Sequence, residues 1–271
     1  LLIFITSFSI SFSQESYYND VDLTLHGVPL KEALASKIIE THTNILPYTP
    51  GVWEASKITD INPENSDEVI LIYGWENGVD QDITNDRSRD NRLQDTGNGD
   101  SFVWNREHVF SKSLANPVLI GVGSSRGPGS DAHNLRPADR TRNSTRNNFK
   151  FASGQGNSDR SSVTYVGPQG PETRGWYPGD EWKGDVARMM MYMYLRYGEQ
   201  CLPTAVGVGS KHFTADDMID LFLQWNVEDP VSEFEKGRNT YHENTTNTYA
   251  QGNRNPFIDN PYLATRIWGG E

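Results

Sequence analysis

Three short segments of this chain hold residue types suited to phosphate chemistry. Trp104-Asn105-Arg106-Glu107-His108-Val109 sets a carboxylate beside an imidazole. Asp131-Ala132-His133-Asn134-Leu135-Arg136-Pro137 brings a second histidine and an arginine. Arg142-Asn143-Ser144-Thr145-Arg146-Asn147-Asn148-Phe149 is rich in amides and guanidinium groups. Breaking a phosphodiester requires an activated water, charge relief on the phosphate and help for the departing oxygen. Imidazole suits the first task, because its ordinary pKa lies near 6.5. A hard divalent cation suits the other two, and it takes oxygen ligands such as a carboxylate and an amide carbonyl. Histidine, glutamate and asparagine are therefore the expected kit. The single cysteine, Cys201, excludes an internal disulfide and a cysteine-rich zinc site.

Spacing sets conditions on each segment. If residues 139–150 form a helix capped by Asp139, then Asn143, Arg146 and Asn147 sit at i, i+3 and i+4 and share a face. Asn143 then presents a carbonyl to the cation, and Arg146 a guanidinium fork to a phosphate oxygen. On a regular strand, Glu107 and His108 point to opposite faces. Their joint action on one phosphate thus requires the strand to end or bulge there, which predicts irregular backbone at these two residues. Residues 132–137 read as a second strand, with His133 beside Asp131 and Leu135 on one side and Asn134 and Arg136 on the other. His133 is expected to be structural, and Asn134 or Arg136 to orient His108 or meet substrate. Arg106 and Arg126 are further candidates for phosphate contact. Asn253, Arg254 and Asn255 read as packing and turn residues.

Strand, strand and polar helix in this order make a hairpin-plus-helix finger. WNREHVF, DAHNLRPADRTRNSTRNNF and QGNRNPFIDNP (residues 251–261) resemble the endonuclease I family of secreted nucleases, within the His-Me finger (ββα-metal) group. The likeness also takes in GDVARMMMYM and residues 223–261, and it is looser before residue 100. The resemblance implies His108 as general base and Glu107 and Asn143 as ligands of one Mg²⁺-type ion, with Mn²⁺ or Ca²⁺ as alternatives. It implies 5′-phosphate products and little sequence preference, with DNA as the expected substrate, RNA as an alternative, and the preference between them left open. From the residues and this resemblance together, the expected catalytic pair is His108 and Arg146, and the expected substrate contacts are Arg136, Asn147 and Arg126. Family members often carry disulfide cysteines, which this chain lacks. Two other readings stand beside it: a phosphodiesterase acting on small or lipid esters, and a non-catalytic module that binds nucleic acid.

The elements that must position these residues are legible more coarsely. Residues 30–45 carry apolar side chains at helical spacing. Residues 68–74 (EVILIYG) read as a buried strand. Residues 79–100 and 115–131 are rich in Asp, Asn, Gly or Pro and read as loops. Residues 162–166 read as a strand. Asp185–Tyr197 is a Met-rich helix stopped by Gly198. Thr214–Glu228 is predicted helical with a Thr214 cap, and Asp229-Pro230 is predicted to open another helix. The predicted class is α+β, a ββα-metal finger at about 101–150 within one largely helical domain spanning 14–271, with a small sheet.

Composition bounds the rest. The chain has 271 residues, 24 Lys+Arg and 36 Asp+Glu, for a net charge of −12. Its 7 Trp, 12 Tyr and 11 Phe supply enough large apolar surface for a globular core and argue against disorder. From Trp104 to Lys150 there are eight basic and three acidic residues, a basic island in an acidic protein. No apolar run reaches the roughly 20 residues of a membrane span. Leu1–Phe12 (LLIFITSFSISF) has the length of an export-signal core, with no initiating Met and no basic start, so the sequence reads as truncated within that signal. The final Gly-Gly-Glu reads as an arbitrary end. The expectation is a secreted or periplasmic monomer.

Overall fold

The Met-rich segment becomes the axis of the molecule. In a computed structural model that describes residues 16–78, 80–121, 126–167, 172–212, 214 and 216–269, the chain order is as follows. Helices α1 (Gly27–Thr41) and α2 (Trp53–Thr59) precede strands β1 (Ile61–Asn62), β2 (Asn65–Ile70) and β3 (Ser88–Asp90). The finger follows as β4 (Trp104–His108), β5 (Leu135–Asp139) and α3 (Arg140–Arg146). A hairpin of β6 (Asp159–Val166) and β7 (Glu172–Tyr177) leads into α4 (Lys183–Tyr197). Short α5 (Pro203–Val206), then α6 (Asp220–Glu228), α7 (Glu233–Glu243), α8 (Pro256–Asp259) and α9 (Tyr262–Trp268) complete it. The class is α+β, with small antiparallel sheets β1-β2-β3, β4-β5 and β6-β7. The expected signal segment lies outside the described residues.

Helix α4 is buried from Gly184 to Leu195 on every side, which its four Met and three apolar residues allow. Unbranched Met side chains fill irregular gaps between neighbours, and each fully buried one contributes roughly 1.5–3 kcal/mol. Gly198, at φ 55°, takes the left-handed conformation that stops the helix, as the sequence predicts. Helix α1 lays Leu30, Leu34 and Ile38 against this core and packs on α4 and α9. The β1-β2-β3 sheet meets the finger where the Ile72 N–H donates to the Pro137 carbonyl (2.8 Å).

Several expected element bounds shift, each for a local reason. Ala132–Asn134 is a turn of 3₁₀ helix rather than strand, because the Asp131 side chain caps it by accepting from the His133 N–H (2.9 Å). Thr214 caps no helix; its hydroxyl donates to the Met218 carbonyl (2.6 Å), and α6 starts only at Asp220. Asp229-Pro230 does not open the next helix either. Ser232 and Glu235 form a reciprocal capping box, and that fixes the start of α7.

Candidate active site

Strand β4 pairs with β5 in one continuous register: Trp104 opposite Asp139, Asn105 opposite Ala138, Arg106 opposite Pro137, Glu107 opposite Arg136, and His108 opposite Leu135. The expected irregularity at Glu107 and His108 is therefore corrected. Alternation turns Asn105 and Glu107 to one face, and Arg106 and His108 to the other. The strand stops just beyond His108 without a bulge. The Val109 N–H donates to the Asn134 carbonyl (3.1 Å), and the Asn134 side chain then continues the ladder. Its Oδ1 accepts from the Phe110 N–H (2.7 Å) and its Nδ2 donates to the Phe110 carbonyl (3.2 Å). Asn134 thus holds the strand end that carries His108, through backbone rather than through the ring.

The Glu107 face looks toward α3. Asp139 caps this helix by accepting from the Arg142 N–H (2.7 Å), as its sequence predicts. Glu107 is buried, its Oε1 accepting from the Tyr73 hydroxyl (3.0 Å) and lying 3.2 Å from Arg146 Nη1. Burial lifts its carboxyl to about 7, against the pull of Arg146 and Tyr73. Asn143 is half-buried and donates Nδ2 to Asn105 Oδ1 (2.7 Å), so its amide is oriented by the residue two before Glu107. Asn143 Oδ1 and Glu107 Oε2 accept no hydrogen bond from any described residue. Two hard oxygens left open on one strand face suit a divalent cation that keeps several waters. Among the described residues no group of three His, Cys, Asp or Glu is gathered for a metal.

Arg146 does not reach outward. It is fully buried, its Nη1 donating to the carbonyls of His108 (3.3 Å) and Asn147 (3.0 Å) and to the Ser111 hydroxyl, its Nη2 to the Val109 carbonyl (2.7 Å). Its expected role as a phosphate fork is corrected: the guanidinium clamps residues 107–111 to the finger helix. Asn147 leaves the expected shared face, because it is the left-handed cap of α3 at φ 53° and its N–H donates to the Asn143 carbonyl (2.9 Å). Arg136 is corrected most fully. It is 1% exposed, with Nε on Asp60 (2.7 Å) and Nη1 on Asp185 (2.9 Å), so its charge is spent inside the fold. Arg126 is exposed at the edge of residues 122–125, which lie outside the described set, and it has no ion pair with any described residue.

The His108 face looks toward residues 48–53. The imidazole stacks on Tyr48, with ring centroids 5.6 Å apart and 19° between planes. Arg106, on the same face, lies over Tyr48 (3.5 Å) and Trp53 (3.9 Å) and donates to the Tyr48 carbonyl. His108 Nε2 meets the Gly129 carbonyl at 2.7 Å. A carbonyl only accepts, so this nitrogen carries the proton and Nδ1 keeps its lone pair. A Cβ at Gly129 would stand 2.8 Å from the Ile120 carbonyl oxygen, so the approach requires glycine. Burial lowers His108 to about 3, the Gly129 carbonyl opposes this, and Lys112, Arg106 and Arg146 add to it. The ring is therefore neutral near pH 7, and it becomes a stronger base only when an anion such as a phosphate beside it offsets the burial.

His133 sits elsewhere, with Nε2 on the Asn253 carbonyl (3.2 Å) and its ring 5.1 Å from His242. Neighbouring Asp131 accepts from Tyr192 (2.9 Å), Tyr197 (2.8 Å) and Gln251 (3.0 Å). The 251–255 segment is buried and serves packing, as its sequence suggests. Four site residues escape sequence reading: Tyr48, Tyr73, Asn105 and Gly129. Asn105 had a signal, since alternation puts it on the face of Glu107. The other three are joined to the site only by long-range folding.

A sequence model of the family Endonuclease I matches residues 26–262. The chain is 38% identical over 260 residues to an extracellular ribonuclease of Bacillus amyloliquefaciens, covering 94% of this chain and 78% of that protein. It is also 38% identical over 264 residues to an extracellular ribonuclease of Bacillus subtilis (strain 168), covering 93% and 80%.

Proposed function

From the premise that this chain belongs to the endonuclease I family, nucleases that hydrolyse phosphodiester bonds, we propose that it is an exported endonuclease cutting both RNA and DNA. In this reading His108 is the general base, and Glu107 and Asn143 hold one Mg²⁺-type ion. The observation that carries the reading is the His108 imidazole, its Nε2 held on the Gly129 carbonyl so that Nδ1 keeps its lone pair, on the residue next to Glu107 anchored by Tyr73.

Because the two side chains leave opposite faces, the scissile phosphate is assigned to the end of β4. There the strand-to-strand pairing gives way to the Asn134 side chain, and residues whose α-carbons are about 3.8 Å apart can flank one group from both sides. When bound, the cation would relieve charge on the phosphate and the leaving oxygen. The chain's own residues do the rest. The Gly129 carbonyl fixes the tautomer of His108 and stabilises the imidazolium once formed. His108 Nδ1 takes a proton from water as that water attacks phosphorus. The bond to the 3′ oxygen breaks, that oxygen takes a proton from solvent, and a 5′-phosphate remains. Tyr73 and Arg146 hold the carboxylate of Glu107, and Asn105 turns the amide of Asn143 so that its carbonyl is presented. In this reading the nucleophile is a water from solvent, and among the described residues no second histidine is placed beside His108 to protonate a leaving group. The 2′-hydroxyl is then not the nucleophile, and DNA and RNA are cut alike.

The printed names of both relatives support RNA as a substrate and a site of action outside the cell. No helix among the described residues is long and apolar enough to cross a membrane. We assign a monomer acting on phosphates rather than base edges, which gives little sequence preference. The test is cleavage of plasmid DNA and of a long RNA, with Mg²⁺ or with EDTA. Activity on both polymers, lost in EDTA and lowered at least 10²-fold in His108→Ala with the circular dichroism spectrum unchanged, is expected. Full activity of His108→Ala would reject the base, and 2′,3′-cyclic products would reject the water mechanism.

A further inference from the structure

The cations that have no ion-pair partner among the described residues are not scattered. Apart from Arg196 and Arg266, each lies between residues 106 and 174. In a protein of net charge −12 this leaves the finger and the β6-β7 hairpin as the place where positive charge is not neutralised. Beside the finger helix the hairpin borders an open polar cleft of about 530 Å³. Arg160, Arg174, Asn157, Ser162 and Tyr177 line it, with one carboxylate, Asp159.

The two arginines are held in place without being neutralised. Arg174 Nε donates to the Ser161 carbonyl (2.8 Å) and its Nη2 to the Arg160 carbonyl (2.8 Å). Arg160 Nη2 donates back to the Arg174 carbonyl (2.5 Å), and its guanidinium lies 3.3 Å over the ring of Phe149. Carbonyls fix guanidinium groups without cancelling their charge. A fixed like-charged pair with donors to spare suits the oxygens of a phosphate. The cleft is also wired to the candidate site. Arg142 of α3 donates to the Ser158 carbonyl (3.3 Å). The Ser158 hydroxyl donates to the Tyr73 carbonyl (2.7 Å), and Tyr73 holds Glu107 (3.0 Å).

We propose that this hairpin cleft is a second phosphate subsite, in which Arg160 and Arg174 grip the backbone of a single-stranded nucleic acid one or more nucleotides away from the bond being cut. It deepens the nuclease reading and rests on it. The occupant is a polyanionic strand because Arg160 and Arg174 share a cleft set apart from His108 yet joined to Glu107 through Ser158 and Tyr73, with Lys150 over Tyr165 of the same hairpin, so one ligand must carry phosphates across that separation. A small ester has one phosphate and does not span it.

The test compares Arg160→Ala/Arg174→Ala with the parent protein. Binding of a labelled single-stranded oligonucleotide of about 16 nucleotides, the upper size for such grooves, is measured by anisotropy in the His108→Ala background. Affinity is expected to fall about tenfold, and the slope of log affinity against log salt to shrink by about 1.4, the release expected for two single-strand phosphate contacts. With His108 intact, hydrolysis of bis-p-nitrophenyl phosphate is expected to be unchanged, while KM for long RNA rises by about the same tenfold. Arg160→Lys/Arg174→Lys is expected to restore most of the binding. Should the double alanine variant lose its fold, Arg174→Glu alone carries the measurement. Equal affinity and salt slope in parent and variant would overturn the subsite while leaving the nuclease reading intact. An intact salt slope effect in a protein that cleaves no polymer would overturn the nuclease reading and leave the subsite.

Discussion

The interior of the finger and the hairpin beside it both hold arginines, yet they use them in opposite ways. Arg136 and Arg146 are almost wholly buried, with every visible partner inside the protein. Among the described residues Arg160 and Arg174 are held by carbonyl oxygens, and Arg160 also by the Phe149 ring, with no carboxylate in ion-pair contact. In sequence the two pairs look alike, and the finger pair even looks better placed for phosphate. The difference teaches that an arginine's function is set by what neutralises it. A buried guanidinium with carboxylates 2.7–2.9 Å away belongs to the scaffold. One held by neutral acceptors on an open cleft remains available to an anion.

The largest break of this contrast is expected at Arg136. Arg136→Ala leaves Asp60 with Arg238 alone and Asp185 with Arg188 at 3.5 Å. Removing one partner of such a buried network costs about 3–5 kcal/mol. Chemical denaturation should show this loss, and a midpoint within error of the parent would move Arg136 back among the substrate contacts.

An effect of similar kind but different trigger is expected from the interior histidines. Burial lowers His42, His133 and His242, with His133 brought to about 4. Below the ordinary imidazole value near 6.5 the unfolded chain takes up protons that the folded chain refuses. Stability is therefore complete above about pH 6.5 and falls as pH drops toward 4. At ~1.4 kcal/mol per pH unit, His133 alone accounts for about 3 kcal/mol across this window. Unfolding midpoints followed from pH 7 to pH 4.5 should decline steadily; a flat profile would mean that these rings are already charged or solvated in the fold.

The smallest effect sharpens the contrast from the other side. Arg126 is exposed and unpaired among the described residues. Arg126→Ala should change stability by less than about 0.5 kcal/mol and weaken nucleic-acid binding less than the hairpin pair does. A melting point lowered by many degrees would show that exposure and structural duty are not separable here.

Local signals carried much of the finger. Asp139 caps its helix, Gly198 stops α4, and Asn143 stands beside the strand of Glu107 and His108, each as residue type and spacing imply. The α+β class and the helical C-terminal half follow from the same patterns. The failures share one cause. Nothing near Arg136 in sequence announces Asp60 or Asp185, and nothing near Arg146 announces that Ser111 and the 108 and 109 carbonyls will consume it. The expected irregular backbone at residues 107–108 failed for the same reason. Asn134, more than twenty residues on, continued the ladder with its side chain.

What the sequence determined alone is the set of chemical groups, and the short-range geometry that hydrogen-bond periodicity imposes on neighbours in the chain. Tertiary structure decided which charges stay free, which nitrogen of His108 keeps its lone pair, and where Glu107 is anchored. Those outcomes depend on desolvation and on carbonyls, hydroxyls and carboxylates brought in from distant segments, and such energies arise only once the chain has closed around them.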